Sequence, residues 1–220
     1  MINWGKIHTV FLDMDGTLLD LHYDNHFWLE YVPKRFAETN NISIEHAKSD
    51  IYSRYEAIRG TLNWYCVDYW SDALDLDIPT LKQEVDHLIA IHPHVVDFLG
   101  AVRHHDKRIV LVTNAHGKSI SLKMERTQLS GYFDAIISAH DIGVAKEDNS
   151  FWGKLQHGEP FDRGKTLFID DSLPVLRSAQ QYGIAYLLAV RQPDSKKAGN
   201  PTGEFDAIST FREIIPKIID

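Results

Sequence analysis

Residues 10 to 20 read "VFLDMDGTLLD": an apolar run breaks into two aspartates one residue apart, a glycine and a threonine, then returns to leucines. Carboxylates at the edge of a buried run are costly unless something compensates their charge. In a strand, residues i and i+2 share a face, so Asp13 and Asp15 can converge at the strand's carboxyl end, where Gly16 lets the chain turn. Four further runs share the near-continuous apolar character of Ile7 to Leu12: Arg108 to Val112, Asp134 to Ser138, Thr166 to Ile169 and Ile184 to Val190. Parallel strands covered on both faces have that character. Helix-like stretches separate the last four, with Gly131 and Gly183 as expected stops and Pro174 in an expected first turn. The pattern predicts an α/β fold with a doubly wound, Rossmann-like parallel sheet.

Between the first two strands the pattern changes. Ile44, Ala47, Ile51, Tyr55 and Ile58 make one helical stripe that Ser43 can cap and Gly60 can end. Thr80 and Gln83 have capping-box spacing ahead of Val85, Leu88 and Ile89. With no strand-like run here, residues 20–92 are expected to form an all-helical cap inserted into a core made of 1–19 and 93–220.

The chain has 220 residues, 44% of them hydrophobic, enough for one sizeable core and a smaller lobe. No apolar run has membrane-spanning length and no signal-peptide pattern opens the chain, so a cytoplasmic location is expected. Cys66, the single cysteine, excludes an internal disulfide; within an aromatic helix it reads as a small buried hydrophobe. A formal charge of −8 argues against nucleic-acid or anionic-membrane partners, but leaves room for a small anionic substrate beside a metal.

The other informative polar residues follow strand-like runs: Thr113 and Asn114 after "RIVLV", Asp170 and Asp171 after "TLFI", and Lys146 in "GVAKEDNSFW". Open α/β sheets bind ligands at such strand ends. Asp13, Asp15, Asp170 and Asp171 brought together repel unless a divalent cation lies among them, and all-oxygen ligation suits Mg²⁺. Thr113 and Lys146 add donors for an anion, which is the equipment of phosphoryl transfer. Asp13 is then positioned to attack phosphorus, and Asp15 to protonate the leaving oxygen and activate water. A calcium loop is a poor alternative, because glycine falls at the fourth position and not the sixth.

Together, "DMDGTLLD", "LVTNA", "GVAKEDNSFW" and "FIDDS" resemble the four ordered motifs of the haloacid dehalogenase superfamily of phosphohydrolases. The resemblance implies a nucleophile at Asp13, an acid/base at Asp15, a phosphate ligand at Thr113 and a steadying cation at Lys146. It implies Mg²⁺ held by the Asp13 carboxylate, the Asp15 carbonyl and Asp171, with Asp170 direct or through water. Asp15 argues against carbon–halogen hydrolysis, because the superfamily's dehalogenases lack that aspartate; Glu147 and Asp148 stand where the family often has proline. "LLDLHYDNHFW", "TLNWYCVDYW" and "AKEDNSFW" resemble the bacterial GMP/IMP 5′-nucleotidase branch.

A purine nucleoside monophosphate is therefore the expected substrate. Asn114 joins the phosphate site, and Trp64, Tyr65 or Trp70 can stack on the base while Asn63 or Asp68 hydrogen-bonds base or ribose. Aromatic stripes at helical spacing usually form core, and packing is the competing reading for these rings. The alternatives are a phosphatase for phosphoglycolate or a sugar phosphate, a phosphomutase, or an inactive phosphate-binding module. The pairs His92/His94 and His104/His105 read as a hinge and an exposed turn, and Lys196 and Lys197 as solvated.

Overall fold

The computed structural model describes residues 2–216; positions 1 and 217–220 of the expected core lie outside the described residues. Six parallel strands run β1 (Thr9–Leu12), β2 (Arg108–Thr113), β3 (Ala135–Ser138), β4 (Thr166–Asp170), β5 (Tyr186–Val190) and β6 (Ala207–Ile208), in the order β3-β2-β1-β4-β5-β6. The chain winds outward from β1 to β3, then crosses back to place β4 on the other side of β1. That reversal opens a crevice at the carboxyl ends of the central strands. The five expected runs are strands; β6, two residues long, carries too short a pattern to read from sequence.

Among the described residues ten α-helices accompany them: α1 (His22–His26), α2 (Val32–Asn40), α3 (Ile44–Ile58), α4 (Val67–Leu74), α5 (Ile78–Glu84), α6 (Val95–His104), α7 (Gly117–Thr127), α8 (Ala139–Ile142), α9 (Phe151–Gly158) and α10 (Leu173–Tyr182). Strand alternation divides the core between two layers. Val10, Leu12, Ile109 and Leu111 pack on α6 and α7, whereas Phe11, Val110 and Phe168 pack on α9 and α10. The region between β1 and α6 has a separate core in which Tyr23, Phe27, Ile51, Tyr55, Trp70 and Leu81 are buried together. None of the helices described is long and apolar enough to cross a membrane.

The chain leaves and re-enters the sheet layer through one contact. Asp20 N–H donates to the Ala90 carbonyl at 2.9 Å and His92 N–H to that of Leu18 at 2.9 Å, around an antiparallel bridge between Leu19 and Ile91. His92 Nε2 lies 3.1 Å from the Pro193 carbonyl and His94 takes a left-handed φ of 65°, both part of the return.

Local signals hold in part. Ser43 Oγ accepts from His46 N–H, Gly183 closes α10 at φ 99°, and Pro174 lies in its first turn. The Thr80/Gln83 box does not form; Asp77 caps α5, its carboxylate accepting from Thr80, because Pro79 extends the first turn backwards. Nor does Gly131 end α7: Gln128 takes the left-handed position at φ 57°, and Gly131 lies in a short 3₁₀ turn.

Candidate active site

The strand ends deliver the side chains. Asp13 follows β1, its N–H bonded to the Ile169 carbonyl at 3.0 Å, while Thr113 ends β2 and Asp170 ends β4. Gly16 adopts φ 83°, and a Cβ there would meet Asp171 Oδ2 at 2.6 Å. Glycine is thus required twice, for the left-handed turn and for the approach of the Asp171 carboxylate.

Lys146 Nζ lies 2.5 Å from Asp13 Oδ1 and 2.7 Å from Asp170 Oδ2, and donates to the Val112 carbonyl at 3.1 Å. Burial opposes its charge, but the two carboxylates outweigh burial and hold the ammonium above its ordinary range. One cation does not neutralise the carboxylates around it. Oxygens of Asp13, Asp170 and Asp171 lie within 4.8 Å of one another. Burial, joined by the Asp170 charge, pushes Asp13 up to about 7 against the pull of Lys146. Burial and the charges of Asp170 and Asp13 push Asp171 well above the usual carboxylate range. Three acids this close, two of them buried and sharing Lys146, fit a hard divalent cation of the Mg²⁺ type.

A second buried lysine holds another pair of acids. Lys123, from α7, places Nζ 2.6 Å from Asp15 Oδ1 and 2.7 Å from Asp24 Oδ2 of α1. Lys82 of α5 reaches the other Asp24 oxygen at 3.2 Å, and lies over the rings of Phe27, Tyr23 and Trp28 at 4.5, 5.0 and 5.4 Å. Burial and the Asp24 charge push Asp15 up to about 6, against Lys123. Burial also disfavours a charge on Asp24, but its two lysines hold it below the usual range.

This chain of charges forms one wall of a cavity of about 280 Å³. Trp28, Tyr55 and Trp64 supply aromatic surface opposite Asp15 and Lys123. No sequence motif marks Lys123 or Lys82, and Asp24 lies within the phrase "LLDLHYDNHFW" without a role assigned to it. The available signal was helical phase: Lys123 lies on the buried face with Ile120 and Met124, an unusual place for lysine unless it is paired.

The sequence-selected residues fall into three groups. Asp13, Asp15, Thr113, Lys146, Asp170 and Asp171 line the crevice at the ends of β1, β2 and β4. Asn114 is beside them, but its side chain is committed: Oδ1 accepts from Lys146 N–H and Nδ2 donates to Glu147, both at 2.9 Å. Glu147 in turn accepts from Tyr65 OH at 2.5 Å, so the residue standing in for proline ties two segments together. Trp64 faces the cavity, and Trp70 is buried with its indole N–H on the Trp64 carbonyl at 3.0 Å. Asn63 is exposed and away from the cavity wall, and Asp68 faces outward to Lys118 at 2.7 Å. Cys66 is only half-buried and caps α4, its Sγ accepting from Tyr69 N–H at 3.4 Å, because α4 begins one residue after it.

Known proteins bear on this arrangement. The family model for haloacid dehalogenase-like hydrolases matches residues 10–189. The GMP/IMP nucleotidase YrfG of Escherichia coli K12 is 37% identical over 218 residues, covering 99% of this chain and 98% of that protein. The pyrimidine 5′-nucleotidase YjjG of the same organism is 33% identical over 109 residues, covering 47% of this chain and 48% of its own length. A crystal structure of a HAD phosphatase from Thermococcus onnurineus superposes with a TM-score of 0.78 at 21% identity, covering 94% of this chain and 95% of that one. The chain belongs to the haloacid dehalogenase-like hydrolases, as a phosphate-ester hydrolase that resembles the GMP/IMP nucleotidase.

Proposed function

We propose that the protein is a Mg²⁺-dependent 5′-nucleotidase for purine monophosphates, acting through a phosphoryl group carried on Asp13. One observation carries the reading: the Asp13, Asp170 and Asp171 carboxylates meet within 4.8 Å at the ends of neighbouring strands, with Lys146 bonded to the first two. The Asp13 and Asp171 carboxylates and the Asp15 carbonyl would hold Mg²⁺, with Asp170 direct or through water. Bound there, the cation supplies charge that keeps these acids ionised and offsets charge on the phosphoryl oxygens.

Asp13 attacks phosphorus as the ester P–O bond breaks, and Asp15 gives its proton to the departing alcohol oxygen. Asp15 then takes a proton from water, whose oxygen attacks the same phosphorus and breaks the bond to Asp13, freeing inorganic phosphate. An acid held at about 6 is matched to giving and taking a proton near neutrality. Thr113 and Lys146 bind the phosphoryl oxygens, and Asn114 fixes the loop that carries Lys146. Segment 20–92 closes over the leaving group and excludes water, opening again for release.

The purine assignment rests on the relative named above and on the cavity's chemistry. Trp28 and Trp64 line it with aromatic surface, and the Lys82 ammonium, already on Asp24, can donate but not accept. It therefore suits the C6 carbonyl of guanine or hypoxanthine and not the C6 amino group of adenine. A phosphate-release screen with Mg²⁺ over GMP, IMP, AMP, CMP, phosphoglycolate and glucose 6-phosphate tests this. GMP and IMP should lead AMP by roughly tenfold or more in kcat/KM. If the small phosphates lead, the nucleotide reading falls and the phosphatase reading stands; release from none of them removes both.

A further inference from the structure

Away from the carboxylates, Cys66, His116 and His140 each offer a ligand atom within 4.8 Å of the other two. Cys66 precedes α4, His116 caps α7 and His140 is in α8, so the group spans the seam between segment 20–92 and the sheet layers. The imidazoles meet edge to face, with centroids 4.9 Å apart. His140 Nε2 is buried without a hydrogen-bond partner among the described residues. An orphaned buried ring nitrogen calls for an explanation, and a missing ligand is one. Burial and the neighbouring His116 hold the His140 imidazole below its ordinary range, in the neutral form that donates a lone pair. Helix capping does not explain the thiol, since an oxygen side chain caps better.

We infer that Cys66, His116 and His140 form a binding site for a thiophilic divalent cation of the Zn²⁺ class, with water as fourth ligand. Two imidazoles and one thiolate are a soft donor set, unlike the all-oxygen set at Asp13. In a tetrahedral zinc site donors lie about 3.5 Å apart, given Zn–S near 2.3 Å and Zn–N near 2.0 Å. Binding forms one Zn–S and two Zn–N bonds and releases the Cys66 proton to solvent. The ion joins the two segments beside Tyr65, which already reaches across to Glu147. Zn²⁺ would therefore staple the closed arrangement, whatever the substrate.

The test is titration of the intact protein with Co²⁺ as the optical probe, in excess Mg²⁺ so that the carboxylate site is filled. A thiolate-to-cobalt charge-transfer band should saturate at one equivalent and be displaced by Zn²⁺. Cys66→Ser should lose the band, and His140→Ala, which leaves the α4 cap intact, should weaken binding at least tenfold. Zn²⁺ should raise the melting temperature of the unmodified protein and not of His140→Ala. No band in the unmodified protein, or an unchanged titration in His140→Ala, overturns the site.

Discussion

Lys146 and Lys123 are each 2% exposed and each held between two aspartates, yet they are built differently. Lys146, from the turn between α8 and α9, joins Asp13 to Asp170, which lie next to each other at the ends of the paired strands β1 and β4. Lys123 joins Asp15, beside β1, to Asp24 of α1, which lies beyond the Leu19–Ile91 crossing. Breaking a buried pair by removing one partner costs roughly 3–5 kcal/mol, because a charge is left without compensation. The fixed triad suits chemistry that must not shift. The spanning triad ties α1 to the end of β1 through a single ammonium, which bonds Asp15 and Asp24 at once.

The contrast can be attacked in order of expected effect. Asp13→Asn preserves shape, removes the attacking oxygen and leaves Lys146 paired with Asp170, so kcat should fall roughly a thousandfold or more in a protein that still folds. Retained turnover would show that the fixed triad does not do the chemistry.

Removing divalent cations should also stop turnover, and stability should reveal why. Asp13 and Asp15 stand at about 7 and about 6 in the folded protein against 3.8 ordinarily. The folded state therefore binds their protons more tightly than the unfolded state does. The stabilisation this gives is complete below about pH 4 and is lost as pH rises through 6 and 7. Mg²⁺ at a hundredfold excess over its Kd contributes about 2.7 kcal/mol, a rise of roughly 5–10 °C in melting temperature above pH 7. Near pH 4.5 the rise should be much smaller; equal shifts at both pH values would place the cation away from these acids.

Lys123→Met should cost less, about 10- to 100-fold in kcat, and should shift the acid limb of the pH profile to higher pH as Asp15 loses its cation. Lys123→Arg should restore part of the rate. A loss confined to KM would make Lys123 part of the cavity wall and not the support of Asp15. Smallest, Trp64→Ala should raise KM for GMP roughly fivefold while leaving an aryl phosphate unaffected.

The two triads also differ in how well sequence reveals them. Asp13, Thr113, Lys146 and Asp170 follow apolar runs or a recognisable phrase, and strand ends leave little choice of where such side chains go. Lys123 and Lys82 lie inside helices, where one lysine looks like another until tertiary packing decides which face is covered, and Asp24 lies in a recognisable phrase that does not say what it pairs with. Boundaries were least legible where two local signals compete. Asp77 and Thr80 both qualify as caps, and Pro79 decides between them; Gly131 looked the better stop, but Gln128 accepts the left-handed turn three residues sooner. Asn63 and Asp68 were chosen for their chemistry, and α4 turns Asp68 outward to Lys118.

The paired hydrogen bonds at Leu18–Asp20 and Ala90–His92 have a consequence for diversification. Since departure and return are adjacent, everything between them can lengthen, shorten or be exchanged without altering the register of any strand. Changes of length in the intervening segment are thereby kept out of the sheet, provided that Asp24, whose charge acts on Asp15, keeps its place against Lys123.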